Sequence, residues 1–344
     1  MRGKMPVKDN NKAYMKRSAC VILSIITVFI FTACAKTPGR YSITFTDVFD
    51  TVTDFIAYCG SEDEFNKAAE ALHGELLRLH RLYDIYNEYD GIVNLAYINR
   101  TASAAPVAAT DEITSILQAG KDFCRDTGGR LNVFAGAVFS VWHGYREAGT
   151  GVPSDNELEE AAAHVSPELV HISGGAVSFT DGNLKIDVGA LAKGEASRRA
   201  ALLLGKIGIK DYMLNIGGNV TVSGRKPEGL WKVGVQDPDG EGLFTKVSVS
   251  DTSVVTSGDY QRFYEYNGRK YHHIIDLQTL YPADGYRSVT VICGNQQAAD
   301  ALSTALFLMS VEEGTELLKR YGAEALWIKA DGQAVRSEGF SRYE

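Results

Sequence analysis

Two short segments combine residue types that bind phosphate groups and divalent cations. The first, residues 186–194, places Asp187 at the end of a predicted strand, small residues in a turn, and Lys193 at the start of a predicted helix. The free N–H groups and partial positive charge of a helix N-terminus favour a phosphate, and a lysine adds a full charge. The alternative is a tight strand-to-helix turn with a solvated lysine, so this segment needs support from elsewhere in the chain.

The second segment provides oxygen ligands. Asp300 and Thr304 lie four residues apart on a predicted helix, so their side chains face the same way, about 6 Å from each other. Mg²⁺ prefers such hard oxygens and is commonly held by one or two protein carboxylates, with substrate phosphates and water completing an octahedron. Taken alone, the pair is more simply a solvated helix surface.

Two adjacent histidines, His272 and His273, lie on a predicted strand that follows the hydroxyl-rich residues 256–260. Alternation along a strand sends the two side chains to opposite faces of the sheet. One of them can therefore face a site as a proton carrier or hydrogen-bond donor, while the other is a surface or core residue. Spacing alone does not choose between them.

Aromatic residues near the first strands and helix suggest a pocket for a flat ring system. Phe49, Tyr83, Tyr86 and Tyr89 could form its walls,. The alternative is that these side chains only fill the core.

The elements that position these residues are a mixture of helices and strands. Apolar spacing and capping residues predict helices at residues 61–82, 111–127, 193–207, 297–309 and 311–321,. Strand patterns cover residues 41–59, much of 212–291, and 325–328 with 334–336,. Asn267-Gly268 is a strong hairpin-turn signal. These patterns predict mixed helix and strand, with a mostly antiparallel second half.

The N-terminal residues have the composition of an export signal. Residues 1–33 carry six basic side chains ahead of an apolar run at residues 19–33,. That run is short for a bilayer span, which needs roughly 20 apolar residues, and it ends in Phe31-Thr32-Ala33-Cys34, which resembles a lipobox,. We therefore predict a signal peptide at residues 1–33, a lipidated Cys34, a tether at 34–40 and one domain at 41–344, held on the extracytoplasmic face of the cell membrane. An uncleaved N-terminal anchor is the alternative.

Composition limits the function of the exported part. The chain has 344 residues, 45% of them apolar, which is enough to bury a core,. Removing residues 1–33 would take the formal net charge from −8 to −13, and so acidic a domain is a poor nucleic-acid binder,. Cys59, Cys124 and Cys293 are far apart, which indicates no disulfide framework,.

Eight short motifs follow one another along the chain. They are Phe49-Asp50-Thr51, Tyr86 with Asn94, residues 128–132, 187–194, 215–219, 256–260, 273–276 and 300–304. Each motif is weak alone, but their order is specific. In this order they resemble the ApbE family, whose members are FAD:protein FMN transferases, and the resemblance spans about residues 45–308.

The resemblance implies a role for individual residues. His273 would be the acid/base or positioning group at the FAD diphosphate, with Asp276 orienting it. Mg²⁺ would be bound by the backbone carbonyl of Ala190 and by the side chains of Asp300 and Thr304, which makes Asp300 catalytic as well. The flavin nucleotide would be bound by Phe49, Tyr86, Arg130, Leu131, Asn132, Asp187, Lys193, Ser257 and Ile274.

The resemblance also implies the fold and the reaction. The fold would be α+β, with duplicated T-fold-like halves, mixed and largely antiparallel sheets, packed helices, and an FAD cleft between the halves. Attack on the phosphorus of the FMN half of FAD would expel AMP and join FMN through a phosphoester to a Thr or Ser hydroxyl of an extracytoplasmic redox protein. Mg²⁺ would neutralise charge on the leaving phosphate.

Other functions are compatible with parts of the sequence. A Mg²⁺-dependent FAD pyrophosphatase would use water as acceptor in the same pocket. A non-catalytic FAD-binding lipoprotein would keep Tyr86 and Asp187 but would not need Asp300 and Thr304. A periplasmic-type solute receptor would be doubly wound α/β, which does not suit the antiparallel second half.

Three positions depart from the common family pattern. Asn132 stands where Asp is frequent, and Leu277 and Leu280 stand in a turn that usually contains Asp-Pro-x-Thr-Gly. A leucine in place of that glycine costs little at negative φ, but on the order of 1 kcal/mol or more if the turn is left-handed. The backbone conformation of Leu280 therefore decides how costly this departure is.

Overall fold

A single eight-stranded sheet supports the rest of the protein. The structure is a computed structural model that describes residues 37–344, so the predicted signal peptide, Cys34 and the start of the tether lie outside the described residues. The sheet contains β1 (Gly39–Val48), β2 (Thr51–Cys59), β6 (Asp211–Ile216), β7 (Asn219–Ser223), β10 (Thr252–Gly258), β15 (Tyr286–Cys293), β16 (Glu324–Lys329) and β17 (Ala334–Arg336). Their spatial order is β1-β2-β6-β7-β10-β15-β16-β17, and every pairing from β2 to β17 is antiparallel.

Two halves of this sheet are connected in the same way. In each half the chain forms two strands, leaves the sheet to form helices, and returns with two more strands beside the second one. The first half is β1-β2-β6-β7 and the second is β10-β15-β16-β17. They join where β7 pairs with β10, from Thr252 opposite Val222 to Val255 opposite Asn219. This pattern agrees with the expected pair of similar halves, and the α+β fold class is confirmed.

The described residues form eight α-helices. They are α1 (Glu62–Tyr83), α2 (Leu95–Thr101), α3 (Asp111–Asp126), α4 (Gly136–Ala148), α5 (Asp155–Ala162), α6 (Gly189–Lys206), α7 (Gln296–Phe307) and α8 (Val311–Tyr321). Side-chain caps set several starts: Ser61 accepts from the Glu64 N–H at α1, and Ser310 forms a capping box with Glu313 at α8,. Helices α1, α3, α7 and α8 lie where the sequence predicts them, whereas α6 begins four residues earlier than predicted. Sequence patterns did not predict α2, α4 or α5.

Short strands form smaller sheets and hairpins around the central sheet. A three-stranded sheet has the order β3 (Val107–Ala108), β5 (Ala176–Phe179), β4 (Val170–Ser173). The hairpins are β8 (Trp231–Gln236) with β9 (Leu243–Val249), β11 (Phe263–Tyr266) with β12 (Arg269–His272), and β13 (Ile275–Asp276) with β14 (Tyr281–Pro282). The predicted Asn267-Gly268 turn joins β11 to β12, with φ of 49° and 74°. Single 3-10 turns lie at Pro167–Leu169 and Phe340–Tyr343.

Three apolar clusters hold these layers together. The largest joins the sheet to the long helices, and Phe55, Leu72 and Leu306 are fully buried in it. A second cluster, around Trp231, packs the β8–β9 hairpin against the central sheet. A third, around Trp142, joins α4 and α5 to the β11–β12 and β13–β14 hairpins. The third cluster therefore fixes β12 against α4. This strand ends at His272, and His273 lies in the bend that follows, so the prediction of both histidines on one strand is wrong for His273.

Two further observations concern the described part of the chain. Between residues 37 and 344, no helix combines the length and the hydropathy needed to span a bilayer. The cysteines at positions 59, 124 and 293 are buried and are not joined in disulfides.

Candidate functional site

The two weak sequence signals meet where α6 packs against α7. Asp300 is only 3% exposed, and its Oδ2 accepts a 2.8 Å hydrogen bond from the backbone N–H of Gly194. The Nζ of Lys193 lies 3.6 Å from Asp300 Oδ1. The carboxylate predicted to bind a metal is therefore next to the lysine predicted to bind phosphate. Because α6 belongs to the first half of the chain and α7 to the second, the site lies where the halves meet.

Gly194 makes this helix contact possible. A Cβ at this position would lie 2.6 Å from the Cβ of Asp300 and 2.8 Å from the carbonyl oxygen of Gln296. Both distances are too short for real atoms, and one neighbour is backbone, so only glycine allows α6 and α7 to come this close.

Gly194→Ala should lower the free energy of unfolding by about 1–3 kcal/mol, the usual cost of forcing an extra methyl into a packed contact. It should also displace the Asp300 side chain, which packs against this position. Urea unfolding measures the first effect. Gly205→Ala is the matched control on the same helix, because a Cβ there meets nothing within 4 Å; it should leave stability unchanged or raise it. Equal stabilities for the two variants would contradict the packing argument.

A cluster of hydroxyls lies beside the Asp300 carboxylate. The Oγ of Ser257, on β10, is 2.8 Å from Ser303 Oγ and 3.3 Å from Thr304 Oγ1. Ser303 also donates to the backbone carbonyl of Asp300 at 2.9 Å. Ser257 and Thr304, which were predicted to bind FAD and the metal respectively, are therefore neighbours in the structure.

Ala190, the third predicted metal ligand, lies in the first turn of α6. In a regular helix its carbonyl would accept from the N–H of Gly194. That N–H donates to Asp300 Oδ2, so any hydrogen bond from it to the Ala190 carbonyl oxygen is a shared one. One carboxylate, one hydroxyl and one carbonyl, all hard oxygens, fit a Mg²⁺ ion whose remaining positions are taken by phosphate and water. Within residues 37–344, no three His, Cys, Asp or Glu side chains come together as a metal site.

The site buries negative charge that the protein only partly neutralises. Burial raises the pKa of Asp300, against the opposing effects of Lys193, the Gly194 N–H and the Asn219 amide. Burial also raises the pKa of Asp187. The hydrogen bond that this carboxylate accepts from the Gly189 N–H at 2.8 Å lowers the pKa, and the charges of Arg262, His143 and Arg146 lower it by smaller amounts. A bound cation would favour the ionised form of Asp300, which is consistent with the proposed ligand set.

Of the two histidines, His273 faces the charged site. Burial, and then the charge of Arg262, lower its pKa to about 3, with smaller contributions from His272, Lys193 and Arg146. Its Nδ1 lies 3.3 Å from the backbone carbonyl of Arg262. A carbonyl only accepts, so Nδ1 carries the hydrogen and Nε2 is left with a free lone pair. The imidazole is therefore neutral at pH 7 and its Nε2 can accept a hydrogen bond. So low a pKa makes it a weak base until an anion bound nearby raises the pKa,.

His272, the last residue of β12, has a structural role. Its Nε2 donates to the Ala283 carbonyl at 2.6 Å, and its Nδ1 accepts from the Ile274 N–H at 3.2 Å. Its ring also packs edge-on against Phe307. Both ring nitrogens are used within the protein, which resolves the choice that spacing left open.

Tyr86 forms an aromatic stack with a residue that the sequence analysis did not single out. Its side chain is 59% exposed and stacks on His143 with the ring centroids 4.7 Å apart. Arg146 donates to His143 Nδ1 at 2.7 Å. The exposed tyrosine therefore offers a flat surface beside Asp187, at the place where the resemblance predicts flavin.

His143, Arg146 and Arg262 are the functional candidates that sequence reasoning missed. Arg146 and Arg262 act on Asp187, Tyr86 and His273 through their charge. His143 and Arg146 lie on α4, and glycines at both ends and in the middle of that helix obscure its periodicity. The only available signal was basic and aromatic residues recurring at helical spacing over residues 139–146.

Phe49 lies at the tip of the β1–β2 hairpin. Phe49 and Asp50 have φ of 55° and 51°, and the Phe49 N–H donates to His80 Nδ1 at 3.1 Å. The same hairpin packs against the β6–β7 turn, where the Gly217 N–H donates to the Val52 carbonyl at 3.0 Å. That turn leads directly into Asn219, beside Asp300, so Phe49 is held at the same end of the sheet as the site.

The predicted flavin residues at 130–132 and 274 have other partners in the structure. Arg130 donates to the Leu308 carbonyl at 3.2 Å, at the C-terminal end of α7. Leu131 and Ile274 are buried core residues. Asn132 donates to the Val165 carbonyl at 2.7 Å and accepts from the Phe134 N–H at 2.9 Å. These side chains hold the loops in place, and their contact with flavin stays a prediction.

The turn after Asp276 has the more costly of the two conformations considered. Leu280 has a φ of 63°, which is left-handed, and its carbonyl accepts from Trp142 Nε1 at 2.8 Å. The leucine side chain packs in the Trp142 cluster, which offsets part of the strain. Asp276 Oδ1 accepts from the Gln278 N–H, so this carboxylate closes the turn. No hydrogen bond from Asp276 to His273 is found among the described residues.

A cavity of about 630 Å³ opens beside this turn, lined by residues that include Asp276, Tyr286 and Lys329. It shares only Asp276 with the eight sequence motifs, and neither Lys193 nor Asp300 lines it. The candidate site is therefore placed at the α6–α7 contact, where the chemically suited groups meet, and not in this cavity.

Comparisons with known proteins agree with this fold. A model of the ApbE family matches residues 40–327. The FAD:protein FMN transferase of Treponema pallidum (strain Nichols) is 34% identical over 266 residues, covering 71% of this chain and 73% of that protein. The corresponding protein of Klebsiella pneumoniae (strain 342) is 28% identical over 279 residues, covering 77% of this chain and 86% of that protein.

Solved structures lead to the same family. The ApbE protein from Thermotoga maritima superposes with a TM-score of 0.81 at 29% identity, covering 89% of this chain and 99% of that one. The flavin transferase ApbE from Vibrio cholerae has a TM-score of 0.77 at 23% identity, covering 89% of this chain and all of that one, and so shows the fold. The fold and the site define an α+β protein with a lysine-and-carboxylate site between two similar halves. The chain belongs to the ApbE family.

Proposed function

We propose that this protein is a Mg²⁺-dependent FAD:protein FMN transferase that moves FMN from FAD to a Thr or Ser hydroxyl of another protein and releases AMP. The observation that carries the proposal is the α6–α7 contact, which buries Asp300 beside Lys193 and one helical turn from Thr304. The names of the relatives support flavin transfer. The metal, the acceptor and the individual residue roles are our proposals.

In this reaction the acceptor hydroxyl oxygen forms a bond to the phosphorus of the FMN half, and the bond from that phosphorus to the AMP oxygen breaks. Lys193 and the first turn of α6 bind phosphate oxygens, because both are positive. Asp300, Thr304 and the Ala190 carbonyl would hold Mg²⁺, which neutralises charge on the leaving phosphate when bound.

His273 is suited to remove the hydroxyl proton of the acceptor. Its imidazole is neutral and its Nδ1–H is held by the Arg262 carbonyl, so the proton would go to Nε2,. Tyr86 and the neighbouring His143 offer an aromatic surface to the isoalloxazine ring,.

The experiment uses residues 36–344 with FAD, Mg²⁺ and a domain that bears an acceptor threonine, followed by mass spectrometry of the acceptor. Transfer adds one FMN, less water, to the acceptor and releases AMP, and both effects require Mg²⁺. AMP and free FMN with an unmodified acceptor would show that the enzyme is an FAD pyrophosphatase. Intact bound FAD would show a flavin-binding lipoprotein and would contradict the proposed catalysis.

We also propose that residues 1–33 direct export and that Cys34 carries the lipid that holds the folded domain at the membrane surface. This proposal is supported by the sequence of the segment, which lies outside the described residues. Cys34→Ala should release the protein from the membrane fraction on cell fractionation. Retention of this variant after high-salt washing would instead support an uncleaved anchor.

A further inference from the structure

A buried amide on β7 lies against α6, the helix whose Gly194 N–H binds Asp300. Asn219, the first residue of β7, is fully buried. Its Oδ1 lies 3.4 Å from the Oγ of Ser197 on α6. Its Nδ2 has no hydrogen-bond partner within residues 37–344. Ser197 is about one helical turn from Gly194, whose N–H binds Asp300 Oδ2. On its other side Asn219 pairs with Val255, two residues before Ser257, which contacts Thr304 on α7. The amide therefore lies among α6, β10 and α7, the helix that carries Asp300.

This arrangement is costly for the fold alone. Burying an amide N–H group without a partner costs about 1–3 kcal/mol, and an apolar residue of similar shape would avoid that cost. The other buried side-chain atoms without a partner in the described part of the chain belong to Thr53, Tyr83, Asp259, Ser288 and Trp327. Asn219 is distinguished by its place, because the other atom of its amide contacts Ser197, about one turn after Gly194 on α6.

The backbone around Asn219 is held from two sides. The Gly218 N–H donates to Asn215 Oδ1 at 2.8 Å. A Cβ on Gly217 would lie 2.3 Å from Thr51 Oγ1, so this turn is packed directly against β2. Asn219 is also opposite Val255 on β10, in the short pairing that joins the two halves of the sheet. Its amide is therefore presented to Asp300 from a rigid part of the sheet.

We propose that Asn219 is a positioning residue for the metal ligand Asp300, an inference that rests on the proposed function. The Gly194 N–H holds Asp300 Oδ2, and the Nδ2 group of Asn219 limits rotation of the carboxylate from the sheet side. Asp300 Oδ1 is thereby kept toward Lys193 and the cation position. The first half of the chain, through α6 and β7, thus aligns a ligand supplied by the second half.

The test measures Mn²⁺ binding by electron paramagnetic resonance, with and without FAD, so that it does not depend on transfer. Mn²⁺ occupies the same kind of oxygen site as Mg²⁺. Asn219→Leu removes the donor while keeping a similarly branched side chain, and Asn219→Ala guards against overpacking. Both variants should bind Mn²⁺ about 10- to 100-fold more weakly, the usual loss when a partner of a metal ligand is removed. Their melting temperature without metal should be unchanged or higher.

Two controls make the result specific. Thr53→Val removes another buried, unpartnered polar group from the same sheet, and it should leave Mn²⁺ affinity unchanged. In an Asp300→Asn background, Asn219→Leu should have no further effect on Mn²⁺ binding, because the ligand it positions has been removed.

The proposal would be overturned if both Asn219 variants bound Mn²⁺ with an affinity within twofold of the parent. It would also be overturned if the parent protein bound no Mn²⁺, either alone or with FAD. If the parent binds Mn²⁺ and the variants lose it while no acceptor is modified, the positioning role stands and the transferase function fails. If FMN transfer proceeds and the variants bind Mn²⁺ normally, the transferase stands and the positioning role fails.

Discussion

Replacing Asp300 with alanine should reduce FMN transfer by more than about 100-fold, because changing even a partner of a metal ligand commonly costs 10- to 100-fold. Asp300 is the only carboxylate in the predicted ligand set, so its loss removes most of the attraction for a divalent cation. AMP release and acceptor mass measure the effect at saturating FAD. Adding Mg²⁺ at high concentration should not restore the rate.

Removing the negative charge of Asp300 should not unfold the protein. The carboxylate is buried with a raised pKa, so it costs free energy in the absence of metal,. Asp300→Asn should therefore have a melting temperature equal to or above that of the parent in a metal chelator. Asp63→Asn, which removes an exposed carboxylate on α1, is the charge-matched control and should leave activity unchanged. Full transfer activity in Asp300→Ala would eliminate the proposed metal site.

Replacing His273 with glutamine should lower the transfer rate by about 10²- to 10⁴-fold, the range typical of a lost general base. FAD affinity should change little, so the effect should appear in kcat and not in KM. His272→Gln is the matched control: both nitrogens of that ring bond to the protein, so the change should reduce stability more than the rate at 25 °C. Equal rate losses in the two variants would contradict the assignment of the base to His273.

The pKa of His273 also sets a pH dependence. Its folded pKa of about 3 lies below the ordinary value near 6.5, so the folded state resists protonation,. The stability that this residue contributes is complete above pH 6.5 and is lost as the pH falls from 6.5 toward 3. Between pH 7 and pH 5 the loss is on the order of 1–2 kcal/mol. Urea unfolding at the two pH values should show a smaller loss in His273→Gln, and identical losses would argue against a low pKa.

Sequence alone was sufficient for most of the fold and for the centre of the site. Helices α1, α3 and α8 have regular apolar stripes, α7 is apolar and buried on nearly every face, and all four have side-chain caps. Strands such as β2 alternate clearly, so local patterns identify these elements. Asp300 and Lys193 were expected together only through the family resemblance. The close approach of α6 and α7 at Gly194 provides the geometry that joins them, and no local pattern encodes that approach.

The parts that sequence missed depend on tertiary contacts. Helix α4 lacks a clear stripe because its apolar residues contact α5 and two hairpins, while His143 stacks on Tyr86. Its cationic side chains therefore went unnoticed. Asn219 looked like part of a glycine turn, and only the folded structure shows that its amide is buried against α6 with an unpartnered Nδ2 group among the described residues. The φ of Leu280 is set by packing in the Trp142 cluster, which holds leucine in a left-handed conformation that propensity disfavours,.

The division of the site between the two halves of the sheet has a consequence for the order of events during folding. Lys193 comes before the β7–β10 junction in the chain and Asp300 comes after it, so neither half contains a working centre. Secondary structure can form within each half, but Mn²⁺ binding and FAD cleavage should recover only once the junction closes. In a refolding time course, the far-ultraviolet circular dichroism signal should therefore recover before the activity does. The return of activity then measures the assembly of the two halves.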